Sequence, residues 1–209
     1  MIIVPFGDIV FCFTPFSLVG FIIAVAFTII VYLTKPEQQL EAQKFAGDIL
    51  ISVSLEEMKI RRLMAIFCGL ATAGAMITYD LFDFSLFLAL VGIANIGIVS
   101  AVRRDWVLNA AFNYGLTAII ATLPLFGSVG LILAKTGTLS LLELSKKSYN
   151  LLYEKIMFAL GMAGETGIAP FYAAKAEMFR APGSPYILMI HLSSLLIIVR
   201  TVEILINLK

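Results

Sequence analysis

Long apolar runs separated by short polar stretches dominate the chain, and six of these runs are candidates to cross a bilayer. A transmembrane helix needs about 20 mostly apolar residues. On this basis the predicted spans are 11–33, 63–78, 84–102, 107–134, 151–174 and 186–206. Gly167 and Pro170 interrupt the fifth run, so we predict that its helix is broken near Pro170. The predicted fold class is therefore all-α, a polytopic membrane protein with about six transmembrane helices.

The pattern describes a single membrane domain, residues 1–209, with three stretches. Residues 1–35 contain the first span, and the lack of positive charge before it favours a retained helix over a cleaved signal peptide. Residues 36–62 mix charged and apolar side chains, and we expect this segment to be cytoplasmic. Residues 63–209 contain the remaining spans.

The segment 36–62 has the spacing of a short amphipathic helix, with Leu40, Phe45, Ile49 and Ile51 as its apolar positions. Toward its end, a serine is followed three residues later by a glutamate (SLEE at 54–57), which fits a capping box at a helix start. The segment has three open interpretations. It lies in the membrane interface, it contacts a soluble partner subunit, or it is a solvated loop.

Composition agrees with a membrane protein and excludes several other classes. The chain of 209 residues is 60% hydrophobic and only 14% charged, whereas soluble domains are about 25% charged. Its net charge of +1 gives no field that would recruit nucleic acid. Cys12 and Cys68 lack the spacing of a zinc site or a disulfide framework. No nucleotide-binding loop or nucleophile motif is present, so we expect no cofactor and no catalytic redox centre in this chain.

The distribution of basic residues predicts the orientation, because cytoplasmic loops are enriched in lysine and arginine. With six spans, loops one, three and five share one side and carry nine basic residues: Lys35, Lys44, Lys59, Arg61, Arg62, Arg103, Arg104, Lys175 and Arg180. The other side carries four: Lys135, Lys146, Lys147 and Lys209. We therefore predict a multi-pass protein of the cell membrane with both termini outside and the odd loops in the cytoplasm.

The break in the fifth span is the strongest candidate for a functional site. Glu165 lies in an apolar run, followed by Gly167, Pro170 and then Lys175. An ionisable group at membrane depth usually faces the bundle interior or a water-filled path. Freed backbone groups beside it are tolerated only where protein or a cavity satisfies them. The pattern therefore indicates an ion path, with a simple kink and a capped Glu165 as the alternative.

Other ionisable residues in the spans are weaker candidates for the same path. Glu154 and Lys155 could begin a polar chain toward the break, or anchor the helix at the interface. His191 has an imidazole that suits proton relay, although a lone buried histidine is more often hydrogen-bonded packing. Arg200 and Glu203 are three residues apart and share a helix face, which favours a mutual ion pair.

Polar residues without charge, and one acidic pair, complete the candidates. Asn95, Asn109 and Asn113 are expected to hydrogen-bond between helices, at about 0.6 to 2 kcal/mol each. Asp80 and Asp83 have a spacing that could hold a metal in a lipid-modifying enzyme. A helix end at the interface is the favoured interpretation for them, because no second acidic motif is present.

Four sequence elements, in order, resemble the antiporter-like subunits of respiratory complex I, Mrp antiporters and energy-converting membrane hydrogenases. They are a helix that ends in basic residues at 103–104, AAFNY at 110–114, TGTL at 136–139, and GETGIAPFY with APGSP at 164–172 and 181–185. The last pair is similar to the broken helix of that family, in which Gly167, Pro170 and Phe171 match. The resemblance covers roughly residues 63–206.

The departures from this family concern its ion-carrying residues. The resemblance puts the family's glutamate at Val91, its broken-helix lysine at Glu165, and its histidine after proline and phenylalanine at Tyr172. His191 lies about one turn before the position of a further family lysine or histidine. The resemblance therefore implies that the glutamate–lysine pair of the family is absent at its usual positions.

The chain is also much shorter than the family fold, so the resemblance implies one half-unit that forms a separate subunit. Such truncated subunits occur in the energy-converting hydrogenases of methanogens. The expected function is a non-catalytic membrane subunit that lines or scaffolds a proton or sodium path, coupled to ferredoxin-linked redox chemistry in partner membrane subunits. The alternatives are a small self-standing ion transporter and, less favoured, a lipid-modifying enzyme.

Overall fold

A computed structural model describes residues 2–6, 9–45, 53–179 and 185–208, and most of these residues are helical. Two short strands, β1 (Ile2–Phe6) and β2 (Ile9–Phe13), pair antiparallel ahead of the first helix. The helices that follow are α1 (Pro15–Leu33), α2 (Pro36–Phe45), α3 (Leu55–Ile77), α4 (Leu81–Ser100), α5 (Asp105–Thr136), α6 (Leu141–Lys146), α7 (Leu152–Thr166), α8 (Tyr172–Met178) and α9 (Tyr186–Asn207).

Five of these helices, α1, α3, α4, α5 and α9, are long and apolar enough to cross a membrane. The fifth predicted span is divided between α7 and α8, with the interruption between Thr166 and Tyr172. The predicted all-α, polytopic membrane fold with one broken helix is therefore confirmed. The strand pair before α1 is an addition that the apolar run 11–33 did not indicate.

The bundle has two centres of packing. Helix α3 packs against α1, α4 and α9, whereas α5 packs against α4, α7 and α8. Two glycines bring α7 close to α5: a Cβ added at Gly161 would lie 2.7 Å from the backbone nitrogen of Leu125, and one at Gly164 would lie 2.3 Å from Cβ of Ala121. Small residues allow such close approach of membrane helices. The broken helix is thus held against α5 along its N-terminal half.

Helix α3 begins earlier than its apolar run, because the predicted capping box fixes its start at Leu55. The Glu57 backbone N–H donates to Oγ of Ser54 at 3.2 Å, and the Ser54 N–H donates to Oε2 of Glu57 at 2.7 Å. This reciprocal pair satisfies two donors that a helix start otherwise leaves unpaired. The prediction of a helix start at this place is confirmed.

We expect Ser54→Ala to lower the free energy of unfolding by about 1 kcal/mol, as loss of an N-cap hydroxyl usually does. Lys59→Ala, at an exposed position on the same helix, should change it by less than about 0.5 kcal/mol. Thermal unfolding of the purified protein in detergent measures both variants. Equal effects of the two changes would contradict the role of the capping box.

Asp80 ends the turn between α3 and α4 as the N-cap of α4. Its carboxylate accepts from the backbone N–H groups of Phe82 at 2.8 Å and Asp83 at 3.3 Å. The Asp80 side chain therefore caps a helix, which agrees with the favoured interpretation of Asp80 and Asp83 as residues at a helix end.

Among the described residues, two of the basic residues that the sequence analysis assigned to the odd loops are buried inside the bundle instead. Arg61 is 0% exposed and donates from Nε to the carbonyl of Ile98 at 2.9 Å, and Lys175 is 3% exposed. Without these two, the odd loops still carry more basic residues than the opposite side of the membrane. The predicted orientation is therefore unchanged.

Parts of the predicted features lie outside the described residues. Helix α2 covers the first part of the predicted amphipathic segment and contains Leu40, which packs partly buried against the core. The apolar positions Ile49 and Ile51 lie outside the described residues, as do Arg180, Ala181, Pro182 and Lys209. The location of the segment 36–62 at the interface, on a partner or in solvent stays a prediction.

Candidate functional site

The site forms where the broken helix changes direction. Helix α7 ends at Thr166, and Gly167 follows in the left-handed conformation with φ of 68° and ψ of 40°. Its N–H donates to the carbonyl of Ala163, which closes the helix end. The peptide bond between Ala169 and Pro170 is cis, and α8 starts two residues later at Tyr172. The break therefore occupies the residues predicted for it.

Glu165 and Lys175 are both buried at this break, each with 3% of its surface exposed. Glu165 is in the last turn of α7. Lys175 is in α8, and its side chain extends to the C-terminal end of α7. The Lys175 Nζ donates to the carbonyl of Thr166 at 2.9 Å and to Oγ of Ser194 on α9. A cation at a helix C-terminus is favourable because it compensates the helix dipole. The two charges interact electrostatically across the break.

Polar residues from three further helices surround this acid and base. The Tyr114 hydroxyl of α5 donates to the carbonyl of Glu165 at 2.8 Å, and Lys175 Nζ lies 5.7 Å from the centre of the Tyr114 ring. Asn95 of α4 accepts from Sγ of Cys68 on α3 at 3.3 Å and interacts with the Tyr114 hydroxyl. We call Glu165, Lys175, Tyr114, Asn95 and Ser194 the break cluster.

The Glu165 carboxylate rests against a glycine of α4. A Cβ added at Gly92 would lie 2.7 Å from Oε2 of Glu165, so any larger residue there would displace the carboxylate. Oε2 has no hydrogen-bond partner among the residues that the structure describes. It borders a groove of about 160 Å³ between α4 and α5. One oxygen of a buried carboxylate is therefore left available to a proton or to a donor from outside the chain.

The family of NADH dehydrogenase I, subunit N related protein, matches residues 1–208 of the chain. The chain belongs to this family. The subunit N-related family is complex I-like, which confirms the resemblance to antiporter-like subunits and points to a place in a multi-subunit membrane complex.

Two proteins of Methanocaldococcus jannaschii are similar to this subunit N-related chain. Uncharacterized protein MJ0522 is 78% identical over 206 residues, which cover 98% of this chain and 94% of that protein. Uncharacterized protein MJ1309 is 24% identical over 161 residues, which cover 72% of this chain but 33% of that protein. The similarity to MJ1309 thus spans about a third of that longer protein.

The structure changes the interpretation of the acid–base pair in this subunit N-related chain. The resemblance puts the family's glutamate at Val91, and the carboxylate of Glu165 lies against the neighbouring Gly92. The base comes from Lys175 on the far side of the break. An acid and a base are therefore both buried at the break, although neither occupies the position that the resemblance assigns to it.

His191 lies near the break cluster of this subunit N-related chain and interacts electrostatically with Lys175, but among the described residues no hydrogen bond joins it to the cluster. Its side chain is exposed, and its ring stacks on Phe179 with a centroid distance of 3.7 Å and an angle of 20°. The position one turn further along α9 is Ser194, which reaches Lys175. The relay role of His191 stays a prediction.

Glu154 and Lys155 are likewise separate from the break cluster. Glu154, in the first turn of α7, is 1% exposed and pairs at 2.5 Å with Lys135 in the last turn of α5. Lys155 is partly exposed on the neighbouring position of α7. Glu154 thus links α7 to α5 rather than extending toward Glu165.

Arg200 and Glu203 form the ion pair that their spacing predicts. Arg200 also donates from Nη2 to the carbonyl of Thr78 at 2.8 Å, and Glu203 accepts from the Thr14 hydroxyl at 2.9 Å. The pair therefore joins α9 to the end of α3 and to the residue that caps α1.

The three asparagines differ in location. Asn95 is 1% exposed and lies in the break cluster. Asn109 and Asn113 are on the exposed side of α5, and Asn113 donates to Glu177 of α8 at 3.4 Å.

Sequence reasoning missed Tyr114 and Ser194 as site residues. AAFNY at 110–114 drew attention to Tyr114 only as part of a motif, and Ser194 carries no local signal.

Proposed function

We propose that this chain is an integral membrane subunit of an ion-translocating complex of the energy-converting hydrogenase type, and that the break cluster lies on its proton or sodium path. The observation that carries the proposal is the burial of two ionisable side chains, Glu165 and Lys175, on the two sides of the break between α7 and α8. Ferredoxin-linked redox chemistry belongs to partner subunits, and this chain is a non-catalytic member of the assembly.

A buried carboxylate beside a buried ammonium suits reversible proton binding. Ionisable groups at membrane depth are expensive and commonly mark ion pathways or proton relays. When two such groups interact, the proton affinity of each depends on the charge of the other. A proton bound at Glu165 would therefore change the electrostatic potential at Lys175. A change in the charge or position of Lys175 would in turn change the proton affinity of Glu165.

The contacts assign different roles to the two groups. The Lys175 ammonium is held by Thr166 and Ser194, so it is a fixed charge. Glu165 has its backbone carbonyl held by Tyr114, whereas Oε2 has no partner within the described part of the chain. Glu165 is therefore the proposed ion carrier, and Lys175 is the proposed group that tunes its affinity.

The setting of the path follows from the same proposal. The complex lies in the cell membrane, with the odd loops of this subunit in the cytoplasm and both termini outside. Lipid and other membrane subunits are its partners. The groove beside Glu165 provides lateral access to the carboxylate from a neighbouring subunit.

Glu165→Gln tests the proposal in the assembled complex. We expect proton uptake into vesicles to fall at least tenfold per assembled complex, while assembly and electron transfer remain largely intact, because glutamine fills the same space without binding a proton. Uptake should be measured with and without Na⁺, which also identifies the coupling ion.

Glu177→Gln provides the matched control, because Glu177 is a carboxylate at an exposed position of α8. Its uptake should equal that of the unmodified complex. Unimpaired uptake by the Glu165 variant would remove Glu165 from the path. A lower yield of complex with unchanged uptake per complex would instead assign the residue a scaffolding role.

A further inference from the structure

The groove between α4 and α5 has the form of a docking site for another helix. Small residues form its base, namely Ala89, Gly92, Gly115 and Ala118. The large side chains Ile93 and Ile119 line it and are 63% and 65% exposed, so the groove opens on the outer surface of the bundle. Small residues between larger ones let a second membrane helix approach closely.

Glu165 supplies an observation independent of this shape. Its side chain is 3% exposed, yet it lines the groove, and its Oε2 has no partner in residues 53–179 or the other described ranges. The nearby ammonium of Lys175 is already engaged by Thr166 and Ser194. A buried charge without direct partners is costly, and membrane proteins usually pair such groups.

We infer that the groove receives a transmembrane helix of a different subunit, and that this helix places a basic side chain against Oε2 of Glu165. The inference rests on the proposed place of the chain in a membrane complex. It adds the chemistry of the neighbour: a helix with an apolar face that fits between Ile93 and Ile119 and one cation at the depth of Glu165.

Charge complementarity distinguishes this occupant from the alternatives. The described residues that line the groove include no lysine, arginine or histidine. A second copy of this chain packed groove to groove would therefore bring Glu165 toward Glu165, which is repulsive. Lipid acyl chains fill apolar space but have no group that donates to a carboxylate.

Site-specific photocrosslinking in native membranes tests the inference. A benzophenone amino acid replaces Ile93 in the groove or, as a control, Ile22, which is 55% exposed on α1. We expect the Ile93 probe to crosslink to one helix of another subunit, identified by mass spectrometry of the joined peptides. That helix should carry a lysine, arginine or histidine within one turn of the crosslinked residue, and the Ile22 probe should not reach it.

A steric variant confirms the location. Ala118→Leu fills the base of the groove and should lower the Ile93 crosslink at least fivefold. Ala173→Leu adds the same volume at an exposed position of α8 and should leave the yield unchanged. A crosslink to a second copy, to lipid alone, or to a helix without a basic residue overturns the inference. The readout needs no turnover, so it is independent of whether Glu165→Gln still transports protons.

Discussion

Replacing Lys175 by methionine should destabilise the protein by about 3 to 5 kcal/mol, the range found when one partner of a buried charged interaction is removed. Methionine has a similar length but cannot donate to the Thr166 carbonyl or to Ser194, and it leaves Glu165 without its nearby cation. The measurement is the loss of the folded fraction on heating or with denaturant, in detergent. Proton uptake by the complex should fall with it.

The double variant separates the charge from the hydrogen bonds. In the double variant Lys175→Met with Glu165→Gln, no unpaired charge remains at the break. We therefore expect its loss of stability to be about 1 to 3 kcal/mol smaller than the sum of the losses in the two single variants. Lys155→Met, at a partly exposed position on α7, is the control and should change stability by less than about 0.5 kcal/mol. Strictly additive single effects would mean that the two charges do not interact.

Features that depend on a few neighbouring residues could be predicted from the sequence. The break in the fifth span follows from Gly167 and Pro170, because these residues limit helix continuation wherever they occur. The start of α3 follows from Ser54 and Glu57, whose hydrogen bonds span three residues. The spacing of Arg200 and Glu203 likewise predicted their pair.

The break cluster could not be predicted in the same way, because its members come from different helices. Tyr114 and Glu165 are 51 residues apart in sequence, and Lys175 and Ser194 are 19 apart. Only the packing of α5 and α9 around the break brings them together. The resemblance also directed attention to Val91, whereas the carboxylate reaches that region from Glu165 on another helix.

The remaining differences concern which face of a helix is buried and where a helix begins. Hydrophobic content identifies a span but does not say which face is buried when every face is apolar. On α9, Ser194 carries no local sequence signal yet contacts Lys175, whereas His191, one turn earlier, is exposed and stacks on Phe179. On α3 the cause is the helix boundary: the apolar run starts at residue 63, which placed Arg61 in a loop, although the helix begins at Leu55 and Arg61 is fully buried against α4.

Gly167→Ala should be among the most damaging single changes in the chain, for two additive reasons. With φ at 68°, the left-handed conformation costs an L-residue about 1 to 2 kcal/mol. In addition, the new Cβ would lie 2.4 Å from Cδ and 2.7 Å from Cβ of Lys175, so the lysine or α8 must move. We expect a total loss of at least about 3 kcal/mol once this overpacking is included.

Gly137 provides a matched control for the first of these reasons. It caps α5 in the same conformation, with φ at 73°, but a Cβ added there would have no atom of the described residues within 4 Å. Gly137→Ala should therefore show the conformational cost of about 1 to 2 kcal/mol alone. The excess loss in Gly167→Ala, measured by unfolding in detergent, reports the contact with Lys175, and proton uptake should fall only in this variant. Equal losses in the two alanine variants would mean that the fit between Gly167 and Lys175 does not hold the break cluster together.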